Sequence, residues 1–71
     1  MDQAMERAHL RQANRHIAEA QQRIAEQEIR IEELERDGHN TALSRDLLSV
    51  FEHTLGLMIA HREIILHSLR T

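Results

Sequence analysis

One short break, residues 37–40 (Asp-Gly-His-Asn), separates two long segments whose apolar residues recur at helical spacing. Gly38 tolerates the left-handed conformation in which many helices end. Either Asn40 or Thr41 can cap a following helix, because its side-chain oxygen can accept a hydrogen bond from the first unpaired amides. Two helices joined by about four residues are normally antiparallel neighbours. The break therefore predicts a helical hairpin.

The composition agrees with two uninterrupted helices. The chain has 71 residues and contains neither proline nor cysteine. Without proline neither helix need kink, and without cysteine there is no disulfide framework and no thiolate metal site. We predict an all-α fold consisting of an antiparallel two-helix hairpin, with helices at about 3–37 and 41–70 in a single domain, 1–71.

The distribution of apolar residues bears on location. The longest apolar stretch, residues 55–60, is far shorter than the roughly 20 residues that a membrane span needs. Charged residues interrupt the N-terminal segment, so it does not resemble a secretory signal. We therefore expect a cytoplasmic protein without a membrane partner.

The first segment carries two apolar rows with a seven-residue period. One row is Leu10, Ile17, Ile24 and Ile31, and the other is Ala13, Ala20, Gln27 and Leu34. This is the a/d pattern of a coiled coil, and polar neighbours on both sides keep the predicted seam narrow. Acidic and basic residues four positions apart are expected to pair on the solvated surface, at Glu19–Arg23, Glu26–Arg30 and Glu32–Arg36.

The second segment has a wider apolar surface, because the row of Phe51, Met58 and Ile65 has apolar rows on both sides. A narrow seam on the first helix cannot cover such a surface. We therefore predict a homodimer in which two hairpins form a four-helix bundle. The expected interface residues are Leu48, Val50, Leu55, Leu57 and Ile64. Capture of a helix from a different, unknown protein is the alternative.

An antiparallel register that places Ala20 opposite Met58 aligns the two repeats and pairs large side chains with small ones. The same register predicts a core row of Leu47, Thr54, His61 and Ser68 on the second helix.

That register also brings histidines together, with His16 near His61 and His9 near His67. These four are candidate metal ligands, and a buried His61 could make a dimer sensitive to pH. However, no two histidines lie four residues apart on one helix, so we favour a structural, partly buried His61 and expect no cofactor.

The sequence offers no catalytic constellation. It contains no cysteine nucleophile, no glycine-rich phosphate loop and no Ser-His-Asp set that a hairpin could bring into one pocket. The acidic residues of the first helix are distributed around it and do not converge. We predict that the protein is not an enzyme.

Nucleic-acid binding is an alternative because Arg7, Arg11 and Arg15 are spaced four apart on one helix. In length and shape the chain resembles the plasmid regulator Rop, a hairpin that dimerises into a four-helix bundle and binds paired RNA loops. Against this interpretation stand a net charge of −3 and a single aromatic residue, Phe51. We therefore expect nucleic acid to be a less favoured partner.

The turn carries a further resemblance. Residues 35–43 (Glu-Arg-Asp-Gly-His-Asn-Thr-Ala-Leu), continued by Leu47-Leu48, Phe51-Glu52, Thr54-Leu55 and His61-Arg62, resemble short bacterial hairpin proteins that share a Glu-Arg-Asp-Gly-His turn. The resemblance covers about half the chain and implies a hairpin, but no activity. The leading interpretation is a small, non-enzymatic dimeric bundle that acts through protein–protein interaction.

Overall fold

The computed structural model describes residues 2–71 and shows two long helices packed against each other. Helix α1 spans Gln3–Arg36 and helix α2 spans Ala42–Arg70. The predicted all-α hairpin is therefore confirmed, with helix limits that differ from the predicted ones by at most one residue.

Local hydrogen bonds explain where α1 begins and ends. The carboxylate of Asp2 accepts a hydrogen bond from the amide of Ala4 at 3.0 Å, which caps the first turn. At the other end, the amide of His39 donates to the carbonyl of Leu34, and the amide of Gly38 donates to the carbonyl of Glu35. This pair of bonds is the Schellman motif, and Gly38 adopts the required positive φ of 75°.

Two residues make side-chain hydrogen bonds at the start of α2. The side-chain oxygen of Asn40 accepts a hydrogen bond from the amide of Ala42 at 2.9 Å. The hydroxyl of Thr41 instead accepts from Nε of Arg45, and it makes no capping bond to a backbone amide. Of the two predicted capping residues, Asn40 therefore satisfies a free amide of the first turn.

The coiled-coil seam predicted on α1 is confirmed. The buried or half-buried residues of α1 are Glu6, Leu10, Ala13, Ile17, Ala20, Ile24, Gln27, Ile31 and Leu34. They alternate at spacings of three and four, and all the remaining residues of α1 are exposed. A single narrow face of α1 therefore packs against α2.

On α2 the prediction holds for the row of Phe51, Met58 and Ile65. It fails for the row that contains Leu47, Thr54 and His61. The buried or half-buried residues of α2 are Ser44, Leu48, Phe51, Leu55, Met58, Ile59, Arg62, Ile65, Leu66, Ser68 and Leu69. The second row of the seam is thus Leu48, Leu55, Arg62 and Leu69. Leu47 and His61, predicted in this row, are exposed. The observed rotation buries three leucines where the predicted one would bury a single leucine, and so it removes more apolar surface from water.

This rotation of α2 places Arg62 in the seam. Its Nη1 donates to the side-chain oxygen of Asn14 at 3.3 Å, whereas its Nε is buried without a hydrogen-bond partner among residues 2–71. Nearer the turn, the side-chain amide of Gln27 donates to the carbonyl of Ser44 at 2.9 Å and ties the two helices together.

The hairpin has a small buried core. Its buried residues are Ala13, Ile17, Ala20, Ile31 and Ile65. The Cα radius of gyration is 16.3 Å, whereas a compact domain of this length would have about 11 Å. The accessible surface of 5436 Å² likewise exceeds the roughly 4,600 Å² typical of a folded monomer of this mass. Neither helix, over the residues described, is long and apolar enough to span a bilayer.

Candidate functional site

A stripe of large apolar side chains runs along the outside of α2. It comprises Leu43, Leu47, Val50, Leu57 and Ile64, which are 82%, 45%, 58%, 60% and 68% exposed. We call these five residues the outer stripe. Single exposed leucines are ordinary on a protein surface, but an aligned series of this kind marks an interaction site.

The outer stripe repeats at the spacing of a helix-packing seam. Each stripe residue lies one position before a residue of the hairpin seam, as Val50 lies before Phe51 and Leu57 before Met58. One residue corresponds to a rotation of about 100° around a helix. The stripe therefore faces roughly a quarter-turn away from α1, which cannot cover it.

The outer stripe overlaps only partly with the predicted dimer interface. Val50, Leu57 and Ile64 are exposed as expected, whereas Leu48 and Leu55 are half-buried in the hairpin seam. The stripe gains Leu43 and Leu47 in their place. Leu43 belongs to the same seven-residue row as Val50, so its spacing was already visible in the sequence.

The stripe borders a surface depression near the start of α2. A shallow depression of about 420 Å³ is lined there by Leu43, Ser44, Asp46, Leu47 and Val50. Its lining is mostly aliphatic, with one carboxylate at the edge. Such a depression can take an apolar side chain from another helix, but it presents no set of groups for catalysis.

Three of the four histidines considered as metal ligands border one groove. His9, His16 and His61 line it together with Gln12 and Ala13, and the groove has a volume of about 340 Å³. His16 and His61, predicted to lie near each other, thus border the same groove, whereas His67 does not line it.

The donor set in this groove is small. Within residues 2–71 no three His, Asp or Glu side chains are grouped closely enough to hold one metal ion. His9 is also engaged elsewhere, because its Nδ1 lies 3.1 Å from a carboxylate oxygen of Glu6. The groove therefore brings imidazoles together without building a coordination site.

The three arginines of the nucleic-acid alternative lie on the outside of α1. Arg7, Arg11 and Arg15 are all exposed, and Arg7 donates a hydrogen bond to the side-chain oxygen of Gln3 at 3.3 Å. None of the three belongs to the hairpin seam, so they are accessible to a phosphate backbone.

The acid–base pairs predicted along α1 do not form. In the part of the chain that the structure describes, carboxylates contact basic groups at Glu6–His9 and Glu35–Arg45. The second of these pairs joins the two helices next to the turn. Glu26 accepts instead from Gln22 at 3.0 Å, while Glu19, Arg23 and Arg30 are exposed and make no ion pair within residues 2–71.

Gly56 lies in the middle of α2. A Cβ built on it meets no atom within 4 Å, so this glycine does not serve close helix packing within the hairpin.

Comparison with protein-family models, with curated proteins and with solved structures yields no match. No family is therefore identified for the chain. The turn sequence and the overall shape resemble other hairpin proteins, and of what these two resemblances imply the structure shows the antiparallel hairpin.

Proposed function

We propose that this protein is a small, non-enzymatic, homodimeric helical-bundle protein that acts through protein–protein interaction, with the outer stripe of α2 as its self-association surface. The observation that carries the proposal is the row of five exposed apolar side chains at the spacing of a helix-packing seam. A helix supplied by another chain, packed along this row, would complete a bundle.

The amount of exposed apolar surface supports association. Complete burial of a large apolar side chain contributes about 1.5–3 kcal/mol, so each partly exposed stripe residue has on the order of 1–2 kcal/mol left to gain. Two stripes of five residues amount to ten side chains, or roughly 10–20 kcal/mol. Association itself costs about 4–15 kcal/mol. The gain equals or exceeds the cost over most of these ranges, so a dimer is physically reasonable.

The experiment is sedimentation equilibrium of the full chain over a range of micromolar concentrations, for the wild type and for Leu57→Glu. We expect the wild type to be dimeric and Leu57→Glu to be monomeric or much weaker in association, because each dimer would bury two carboxylates in an apolar seam. A wild type that stays monomeric at these concentrations contradicts the proposal.

Ile29→Glu provides the matched control. Ile29 is 54% exposed, close to the 60% of Leu57, but it lies on the outer face of α1. The same substitution there should leave the dimer intact. Helix content measured by circular dichroism distinguishes lost association from lost folding.

The alternative function is a Rop-like nucleic-acid-binding regulator, and the exposure of Arg7, Arg11 and Arg15 favours it. This alternative predicts affinity for duplex or hairpin RNA or DNA that falls steeply with salt and is lost when the three arginines become glutamine. Binding of that kind would replace protein–protein interaction as the leading function.

A metal-binding or pH-sensing bundle is the least favoured interpretation, because the histidine groove supplies too few ligands. It predicts that zinc or nickel raises the melting temperature of the protein.

A further inference from the structure

Next to the outer stripe, α1 presents a surface of alternating charge. It consists of a basic row, His9, His16, Arg23 and Arg30, and a largely acidic row, Gln12, Glu19, Glu26 and Glu33, and all eight residues are exposed. We call this surface the charged face. Each of its residues lies one position before a residue of the α1 seam, just as each residue of the outer stripe precedes one of the α2 seam.

The charged face and the outer stripe lie on the same side of the hairpin. His9 and His16 share a groove with His61, and Arg23 shares a small cavity with Thr54. Thr54 and His61 continue the row of Leu47 along α2 at seven-residue spacing. A second hairpin that covers the outer stripe would therefore lie over the charged face as well.

Few charges of this face are satisfied within the hairpin. His9 contacts Glu6, and Glu26 accepts a hydrogen bond from Gln22. Glu19, Arg23 and Arg30 have no ion-pair partner within residues 2–71, although Glu19 and Arg23 are only one helical turn apart. These three side chains are available to groups on another molecule.

Antiparallel pairing of two outer stripes defines a symmetry axis. Placing Leu47 opposite Ile64 of the second copy also places Thr54 opposite Leu57, so the two-fold axis passes α2 between residues 55 and 56. Ala20, Arg23, Phe51, Thr54 and Met58 line one cavity, so this level of α2 corresponds to α1 near residue 21 or 22. The axis that relates the two outer stripes thus also passes the middle of the charged face.

A two-fold axis at that level places the basic row of one copy opposite the acidic row of the other, with Arg23 and Glu19 as the fully charged pair. Arg23 comes opposite Glu19 of the second copy, His16 opposite Glu26, and His9 opposite Glu33. Each pair occurs twice because the interface is isologous. In a two-fold dimer whose hairpins run parallel, the charged face of one copy would instead lie over the outer stripe of the other and would lose its hydration without gaining opposite charges.

We infer that the charged face of α1 packs against the same face of a second copy, forming an electrostatic seam that selects the antiparallel orientation and favours self-association over other helical partners. This inference rests on the proposed homodimer and adds α1 to its interface. In such a bundle the apolar seam supplies affinity and the charged seam supplies orientation, as flanking charges do in coiled coils.

The test uses two single substitutions, Glu19→Arg and Arg23→Glu, in the full chain. Either variant alone would place two like-charge pairs across the symmetry axis, and we expect its dimer dissociation constant to rise about tenfold or more. An equimolar mixture should form a heterodimer with near wild-type affinity, because the arginine introduced in one chain then faces the glutamate introduced in the other. Sedimentation equilibrium and native mass spectrometry measure both outcomes.

The mixture separates this seam from effects within one helix. Glu19 and Arg23 lie one turn apart in the same chain, and any intrahelical effect of either substitution persists in the mixture. Glu32→Arg is the control, since Glu32 and Arg36 have the same spacing on the outer side of α1, and it should leave the dissociation constant unchanged.

Variants that dimerise as tightly as the wild type, or a mixture no tighter than its components, overturn the charged seam while the dimer through the outer stripe stands. A monomeric wild type overturns both.

Discussion

The two glycines of the chain occupy different environments. Gly38 has a φ of 75° and ends α1, whereas Gly56 lies within α2 with open space where a Cβ would project. A side chain at residue 38 would be strained by the backbone conformation. At residue 56 the glycine only adds conformational freedom to the unfolded chain.

Substituting the two glycines should therefore have opposite effects. Gly56→Ala should raise the free energy of unfolding by up to about 1 kcal/mol, because alanine has the higher helix propensity and meets no atom. Gly38→Ala should lower it by about 1 kcal/mol, the penalty of a Cβ in the left-handed region. Urea denaturation at a fixed protein concentration measures both, and destabilisation by Gly56→Ala would indicate a close contact at that residue.

At the scale of the helices, α1 has one apolar face and α2 has two. The α1 seam was predictable because its large apolar residues, apart from Met5 and Ile29, lie in two heptad rows, so a single rotation buries them. On α2 three adjacent apolar rows could pack against α1. The spacing of residues alone does not decide whether Leu48 or Leu47, and whether Arg62 or His61, lies in the seam. Packing against α1 decided this, so that Leu48 and Leu55 lie in the hairpin seam whereas Val50, Leu57 and Ile64 stay exposed.

The start of α2 offers a test at the same scale. Asn40→Ala should reduce the free energy of unfolding by about 1 kcal/mol, because it removes the acceptor of the Ala42 amide. Thr41→Ala should have a smaller effect, since the Thr41 hydroxyl bonds only the side chain of Arg45. Thermal melts of the two variants compare these residues directly, and a larger loss for Thr41→Ala would reverse their roles.

At the scale of the whole molecule, the hairpin is a rod with Cα extents of 54 × 14 × 12 Å. A rod of two helices has no interior beyond their seam, and small domains of this kind generally need association or covalent links for stability. The mode of association can be recognised from the overall dimensions.

Small-angle X-ray scattering should show a dimer whose longest dimension is close to that of the single hairpin. The antiparallel overlap of the outer stripes places two rods side by side over most of their length, so mass doubles while the radius of gyration rises only slightly above that of one rod. A longest dimension nearly twice that of the hairpin would indicate end-to-end association and contradict the side-by-side bundle.

By itself the sequence determined the two helices, their limits, the turn at Gly38 and the seam of α1, because these depend on local backbone preferences and on a repeat with one solution. Only the tertiary structure decided how α2 is rotated about its own axis. That rotation is fixed by which of three competing rows buries most apolar surface against α1. It moved His61 out of the core, brought Arg62 in, and left Leu43, Leu47, Val50, Leu57 and Ile64 facing solvent.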